Sequence, residues 1–284
     1  MSNFLREPRK QRFGRLFVFV SFALLLNAWA DPHLSLPVVS GQLLFAVQSP
    51  KQYSVKKGVG IPYNQFSDSR ERLENLHLNW FYKWGHAVPE DQPENIEFVP
   101  MIAAQWNDKP AVYELLKAGN FQTLLGFNEP DWVNQPNTVE YAMNSWTNLM
   151  DTGLRLGSPG CYDAKGEWMQ DFMAAATAAE YRVDFVAVHK YPSSAADFLQ
   201  HIQEVHEMYG LPIWITEFAI SDKYADTPEK VYQFMAAVIP VLESLDYVER
   251  YAWVVLKETT WLKNSALFNE DGSMTELGKL YSSY

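Results

Sequence analysis

Thr123-Leu124-Leu125-Gly126-Phe127-Asn128-Glu129-Pro130-Asp131-Trp132 begins as an apolar run and ends in an amide, a carboxylate, a proline and a second carboxylate. A strand of a parallel sheet, covered on both faces, reads as a continuous apolar run. Pro130 has no backbone N–H for a ladder, so the strand stops there. Glu129 is thereby placed at the carboxyl end of a central strand, where α/β folds carry their chemistry. A second stretch repeats the plan: Leu211-Pro212-Ile213-Trp214-Ile215-Thr216-Glu217-Phe218 is an apolar strand ending in glutamate.

Working outward, short apolar runs alternate with helical patterns. Strands are predicted over 55–63, 78–84, 97–103, 123–128, 155–159, 185–191, 211–216 and 248–256. In the second, Leu78, Trp80 and Tyr82 share one face and Phe81 the other. Asp68 is a candidate cap for a short helix through Leu73 and Leu76. Pro110 suits the first turn of a helix that stops at Gly119. Asn137 with Glu140 resembles a capping box opening a helix that carries Val139, Met143, Trp146 and Met150. Helices follow over 168–179 and 195–209, the latter ended by Gly210. Thr227 and Pro228 open the clearest helix, with Val231, Phe234, Met235, Val238, Ile239 and Leu242 on one stripe and a kink expected at Pro240. A turn at 270–273 and a short helix close the chain. Eight strands alternating with helices imply a parallel sheet and a single-domain (β/α)8 TIM barrel over residues 56–284. An open doubly wound sheet fits less well, because no Gly-x-Gly-x-x-Gly or phosphate-binding loop is present.

The amino terminus reads as a signal peptide. Arg6, Arg9, Lys10, Arg12 and Arg15 precede an apolar run over 16–26, then Ala28-Trp29-Ala30. We expect cleavage after Ala30, an irregular leader over 31–55, and a secreted or periplasmic product. The alternative is an uncleaved anchor, although the run is shorter than the roughly 20 residues of a spanning helix. Without residues 1–30 the net charge moves from −11 to −15, with 18 basic against 33 acidic residues. That balance argues against nucleic acid, whose phosphates need Lys and Arg, and against anionic membranes. It suits a neutral substrate. A monomer is expected. Cys161, the single cysteine, allows no intramolecular disulfide and reads as a small buried residue. The 10 Trp, 15 Tyr and 17 Phe supply a core, and Trp and Tyr are also what sugar clefts stack on pyranoses.

Glu129 and Glu217 lie 88 positions apart, on the fourth and seventh strands. In an eight-fold barrel those strands face each other across the mouth, so two glutamates there can flank one scissile bond. A glycosidic oxygen needs a proton as its bond breaks, and an oxocarbenium-like carbon needs an anion on its other face. A retaining glycosidase supplies both from carboxyl groups about 5–5.5 Å apart. Asp131 is either a supporting partner or a helix cap. His201 and His206 lack the i, i+4 spacing of a zinc helix, and Ser158 and Thr216 lack a nucleophile elbow. No metal or cofactor is expected.

Leu125-Gly126-Phe127-Asn128-Glu129-Pro130-Asp131 closely resembles the acid/base motif of glycoside hydrolase family 128, endo-β-1,3-glucanases of the clan A type. Phe98-Val99-Pro100-Met101, Leu156-Gly157-Ser158-Pro159, Asp184-Phe185-Val186-Ala187-Val188-His189 and Trp214-Ile215-Thr216-Glu217-Phe218-Ala219 resemble its third, fifth, sixth and seventh strands. Tyr251-Ala252-Trp253 and the 272–278 segment extend the likeness over roughly residues 56–284. The resemblance implies a compact (β/α)8 barrel and retaining hydrolysis of β-1,3-glucan. Glu129 would be the acid/base, Glu217 the nucleophile, and Asn128 the partner of the sugar 2-hydroxyl. His189 and Tyr191 would line the cleft and orient nucleophile or sugar. Trp253 would be the stacking floor, with Trp84 and Trp106 as weaker candidates. The sequence departs from the family at Lys190, where an aromatic is common, and after Met101, where Ile102-Ala103-Ala104-Gln105-Trp106 follows. Competing readings are a glucan-binding barrel without hydrolysis, and a clan A hydrolase of mannan, xylan or β-1,4-glucan.

Overall fold

The structure is a computed structural model that describes residues 52–62, 69–133, 137–254, 257 and 261–284. These belong to one compact unit, Pro50–Tyr284. The expected signal peptide, nearly all of the leader and the Asp68 cap lie outside the described residues.

The strands are β1 (Lys57–Gly60), β2 (Trp80–Tyr82), β3 (Glu97–Val99), β4 (Thr123–Leu124), β5 (Arg155–Leu156), β6 (Val186–Lys190), β7 (Ile213–Phe218) and β8 (Val248–Trp253). The helices are α1 (Ser69–Asn75), α2 (Pro110–Ala118), α3 (Val139–Met150), α4 (Glu167–Ala178), α5 (Ala195–Tyr209), α6 (Pro228–Ser244) and α7 (Glu276–Ser283). Six strands run β3-β2-β1-β8-β7-β6 in one parallel sheet, and β4 pairs with β5. Parallel bridges Met101–Leu125 and Gly157–Phe185 join the ends of β3 to β4 and of β5 to β6. The strand order is therefore that of a (β/α)8 barrel. One unit departs from strict alternation: residues 83–96, between β2 and β3, contain no helix.

Two apolar layers follow from the alternation of side chains along each strand. Trp80, Tyr82, Val99, Met101, Leu125, Phe185, Trp214 and Ala252 fill the inside of the barrel. Their neighbours, such as Val59, Phe81, Val186, Ile215 and Tyr251, face outward against the helices. Burying each large side chain stabilises the fold by roughly 1.5–3 kcal/mol. At the amino-terminal end of the strands, Glu249 accepts both guanidinium nitrogens of Arg155, at 2.6 and 2.9 Å, and the Trp214 indole N–H at 2.8 Å. Arg250 lies 4.3 Å over the Trp214 ring.

The helices start and stop for local reasons. Thr227 caps α6 by accepting from the Lys230 N–H, and Pro228 needs no N–H partner in the first turn. The predicted stripe of α6 is its buried face, from Val231 to Leu242, and the helix continues through Pro240. Ser194 caps α5, and Gly210, at φ 66°, ends it in the left-handed conformation. The capping expectation for α3 is corrected. Thr138, not Asn137, caps it, accepting from the Tyr141 N–H at 3.1 Å. Asn137 instead binds the neighbouring loop, accepting from Gln105 Nε2 at 3.1 Å.

Candidate active site

Glu217 reaches the barrel mouth because β7 carries a bulge. Ile215 pairs with Val188 of β6, but the next pair is Glu217 with His189. Thr216 is the extra residue. Trp214 points into the barrel and Ile215 out of it. Strict alternation would then turn Glu217 outward, onto the helices. The bulge turns it inward beside His189.

Glu129 arrives by a different device. Its φ is +40°, a conformation that side chains bearing a Cβ rarely take. Its N–H donates to the Gly160 carbonyl at 2.8 Å, and its own carbonyl accepts from the Trp132 N–H at 3.0 Å. Gly126 lets the strand approach β5: a Cβ there would lie 2.9 Å from the carbonyls of Gly157 and Ser158. Gly160 is constrained likewise, since a Cβ would meet His189 Nε2 at 2.8 Å.

The two carboxylates converge on one imidazole. His189 Nδ1 lies 3.0 Å from Glu129 Oε1 and 3.6 Å from Glu217 Oε2. Tyr191 donates its hydroxyl to Glu217 Oε2 at 2.7 Å. The Trp84 indole N–H is shared between Asn128 Oδ1 at 2.9 Å and Glu217 Oε1 at 3.1 Å. Tyr82 donates to the Thr216 carbonyl at 3.0 Å and lies 3.4 Å from Glu217 Oε1. Glu217 is 5% exposed and His189 1%, so these contacts act in a medium of low dielectric.

Burial pushes the Glu217 carboxyl up. The charge on His189 opposes this, the charge on Glu129 adds to it, and the hydrogen bonds from Tyr191 and Trp84 offset part of it. Burial alone would pull His189 down, but the nearby carboxylates of Glu217 and Glu129 outweigh it, and the net direction is up. Burial, with the charge of Glu217, holds the Tyr82 and Tyr191 phenols well above the usual range, so both remain donors. Glu129, His189 and Glu217 form one cluster. One ligating atom from each lies within 4.8 Å of the others, which is also close enough for a single cation. Two carboxylates and an imidazole suit a borderline divalent ion.

The sequence candidates divide. Glu129, Glu217, Asn128, His189, Tyr191 and Trp84 are brought together, Trp84 as a hydrogen-bond donor rather than only a flat ring. Trp106 is 52% exposed on the loop after β3. Trp253 is a correction. It is fully buried, faces outward from β8 between Phe218 and Tyr281, and donates its indole N–H to the Ser265 carbonyl at 2.8 Å. Ala252 takes the inward position, so no face of Trp253 is left for a sugar. Lys190 faces outward toward Asp197, 3.6 Å away. Asp131 is not a helix cap: its two oxygens accept the N–H groups of Tyr162 and Asp163, at 2.8 and 2.9 Å, tying β4's end to β5's. Cys161 is buried with its sulfur 3.8 Å from Met169 Sδ, and burial pushes its thiol well up. Tyr82 was not among the sequence candidates; it shares the inward face of β2 with Trp80. A separate groove of about 1240 Å³, bordered by Pro228, Tyr232, Asn264 and Phe268, contains neither glutamate.

The description of a glycosyl hydrolase catalytic core matches residues 60–281. A subgroup I endo-β-1,3-glucanase of family 128 from Amycolatopsis mediterranei, crystallised with laminaritriose, is 32% identical. It aligns over 81% of this chain and 99% of its own, with a TM-score of 0.72. This chain belongs to glycoside hydrolase family 128. A subgroup II endo-β-1,3-glucanase from Sorangium cellulosum is 25% identical over 80% of this family 128 chain and 98% of its own, with a TM-score of 0.70. A subgroup VI exo-β-1,3-glucanase from Aureobasidium namibiae, 22% identical over 82% and 98%, shares the fold at a TM-score of 0.72. Alkali-sensitive linkage protein 1 of Schizosaccharomyces pombe is 29% identical over 245 residues. The family 128 chain spans 45% of that relative's length, and the match covers 81% of the chain.

Proposed function

We propose that this glycoside hydrolase cuts β-1,3-glucan internally with retention of configuration, Glu217 acting as nucleophile and Glu129 as acid/base. The observation that carries the reading is the closeness of the two carboxylates, within 4.8 Å. Such closeness favours a retaining pair, with carboxyl groups about 5–5.5 Å apart, over an inverting pair at about 6.5–9.5 Å. Glu217 attacks the anomeric carbon. The glycosidic C–O bond breaks, and its oxygen takes the proton of Glu129, leaving a glycosyl ester on Glu217. Glu129, now ionised, takes a proton from water. The hydroxide attacks the anomeric carbon, the ester C–O bond breaks and the Glu217 carboxylate is regenerated. Tyr191 and Trp84 hold the anion before attack and receive it again at release. With Asn128 Oδ1 accepting from Trp84, its Nδ2 amide is the end offered to a sugar 2-hydroxyl.

Support for β-1,3-glucan and for endo action comes from the 32% identity to the subgroup I enzyme bound to laminaritriose. In the same reading the chain is a secreted or periplasmic monomer, free of membrane once its leader is removed, and binds no nucleic acid. Purified protein incubated with laminarin should release new reducing ends with a rapid fall in polymer length, and the first product should carry the β-anomer. Glu129→Gln and Glu217→Gln should each abolish release, and azide should rescue Glu217→Gly. An active Glu217→Gln protein would refute the assignment. Binding of laminarin without cleavage would favour a glucan-binding barrel.

A further inference from the structure

Two aromatic rings, one exposed and one partly buried, are carried by the backbone tied to Glu129, and the mechanism above does not use them. Trp132 lies three residues past Glu129 and Tyr162 two past Gly160. Their ring centroids are 4.5 Å apart, with the planes inclined at 49°. Tyr162 is 53% exposed and Trp132 is partly buried. Neither ring hangs on a loose loop. The Trp132 N–H donates to the Glu129 carbonyl at 3.0 Å, and the Glu129 N–H donates to the Gly160 carbonyl at 2.8 Å. Asp131 then closes the frame by accepting the N–H groups of Tyr162 and Asp163. The ring pair is thus fixed to the backbone that carries the acid/base carboxyl.

The opposite side of the dyad has its own aromatics. The Tyr191 hydroxyl is on Glu217, and its ring meets the edge of Trp261 at 4.8 Å. An acid/base group protonates the glycosidic oxygen from the side of the departing sugar, whereas the nucleophile lies beneath the sugar that stays attached. Groups fixed to Glu129 therefore border the leaving-group end of the chain. We propose that Trp132 and Tyr162 form the platform that holds the departing end of the β-1,3-glucan, clamped in place by Asp131. Tyr and Trp rings present broad apolar faces to the C–H faces of pyranoses. A β-1,3 linkage turns each pyranose relative to the last, so two rings inclined to each other fit successive units better than one flat surface. The inference rests on the hydrolytic reading above, with Glu129 as acid/base.

The test compares two substrates on Trp132→Ala, Tyr162→Ala and the double variant. Laminarihexaose places sugars on both sides of the dyad. β-Laminaribiosyl fluoride has a leaving group without a sugar and occupies only the glycone side. In each single variant, kcat/KM should fall about tenfold more on the hexaose than on the fluoride, equivalent to about 1.4 kcal/mol of lost binding. Trp132→Phe and Tyr162→Phe, which keep a ring, should restore most of the difference. Trp261→Ala, on the nucleophile side, should lower both substrates together. Equal losses on both substrates in the Trp132 and Tyr162 variants, or no loss on either, would overturn the platform. So would a Trp261→Ala protein showing the same selective loss. A wild-type protein that cleaves neither substrate would refute hydrolysis itself, and the platform would fall with it.

Discussion

Replacing Tyr191 with Phe removes one atom, the hydroxyl oxygen that helps hold Glu217 as an anion. The hydroxyl donates to Glu217 Oε2 at 2.7 Å, inside a site where Glu217 is 5% exposed. A hydrogen bond to a charged group is worth about 1.5–3 kcal/mol. The protonated carboxyl keeps a weaker version of it, so the differential loss is about 1.5 kcal/mol. At 1.36 kcal/mol per pKa unit this is about one unit. The direction follows from the chemistry: Tyr191 favours the anion and pulls Glu217 down, so its removal moves Glu217 further up. In the proposed mechanism Glu217 attacks as the anion, so the acid limb of kcat/KM should shift about one pH unit toward alkali. Initial rates of reducing-sugar release from dilute laminarin, measured from acid to neutral pH, give that limb directly. Trp84→Phe should move it the same way, because the indole N–H also serves Glu217, at 3.1 Å. An unmoved limb, or one displaced toward acid, would show that Glu217 is not the group whose ionisation switches the enzyme on.

Three further outcomes are expected. Glu217 has a folded-state pKa above its ordinary value, so its contribution to stability is fully present below the unfolded pKa and is lost as pH rises through the folded one. Glu217→Gln should therefore melt higher than wild type at neutral pH, with the gap closing at acid pH, by calorimetry at both. Gly160→Ala puts a Cβ 2.8 Å from His189 Nε2 and should displace the imidazole from both glutamates. We expect a loss of about 1–3 kcal/mol in stability and a larger proportional fall in kcat than in KM, read by denaturant melts and steady-state kinetics. Trp253→Phe should cost about 1–3 kcal/mol by leaving the Ser265 carbonyl unpaired, while KM for laminarin stays unchanged; a raised KM would return Trp253 to the cleft.

The sequence by itself determined the order of the strands, the helix stripes and the strand-end positions of the two glutamates. Apolar runs, caps and periodicity are local properties, and the chain states them residue by residue. The α6 stripe and the Gly210 stop were legible for that reason, and so was the placing of Glu129 and Glu217 at strand ends. Tertiary structure decided which way individual side chains face. Period-two alternation from Trp214 sends Glu217 outward; only pairing with β6 inserts Thr216 as a bulge and turns the carboxylate to the mouth. Past the register shift at the start of β8, alternation from Tyr251 takes Trp253 away from the cleft and leaves Ala252 inside. Trp84, far from either glutamate in the chain, becomes a hydrogen-bond donor to Glu217 and Asn128 because the barrel brings the ends of β2, β4 and β7 to one rim. Facing and long-range contact are set by registers between strands, and a register belongs to the pair of strands rather than to either sequence alone.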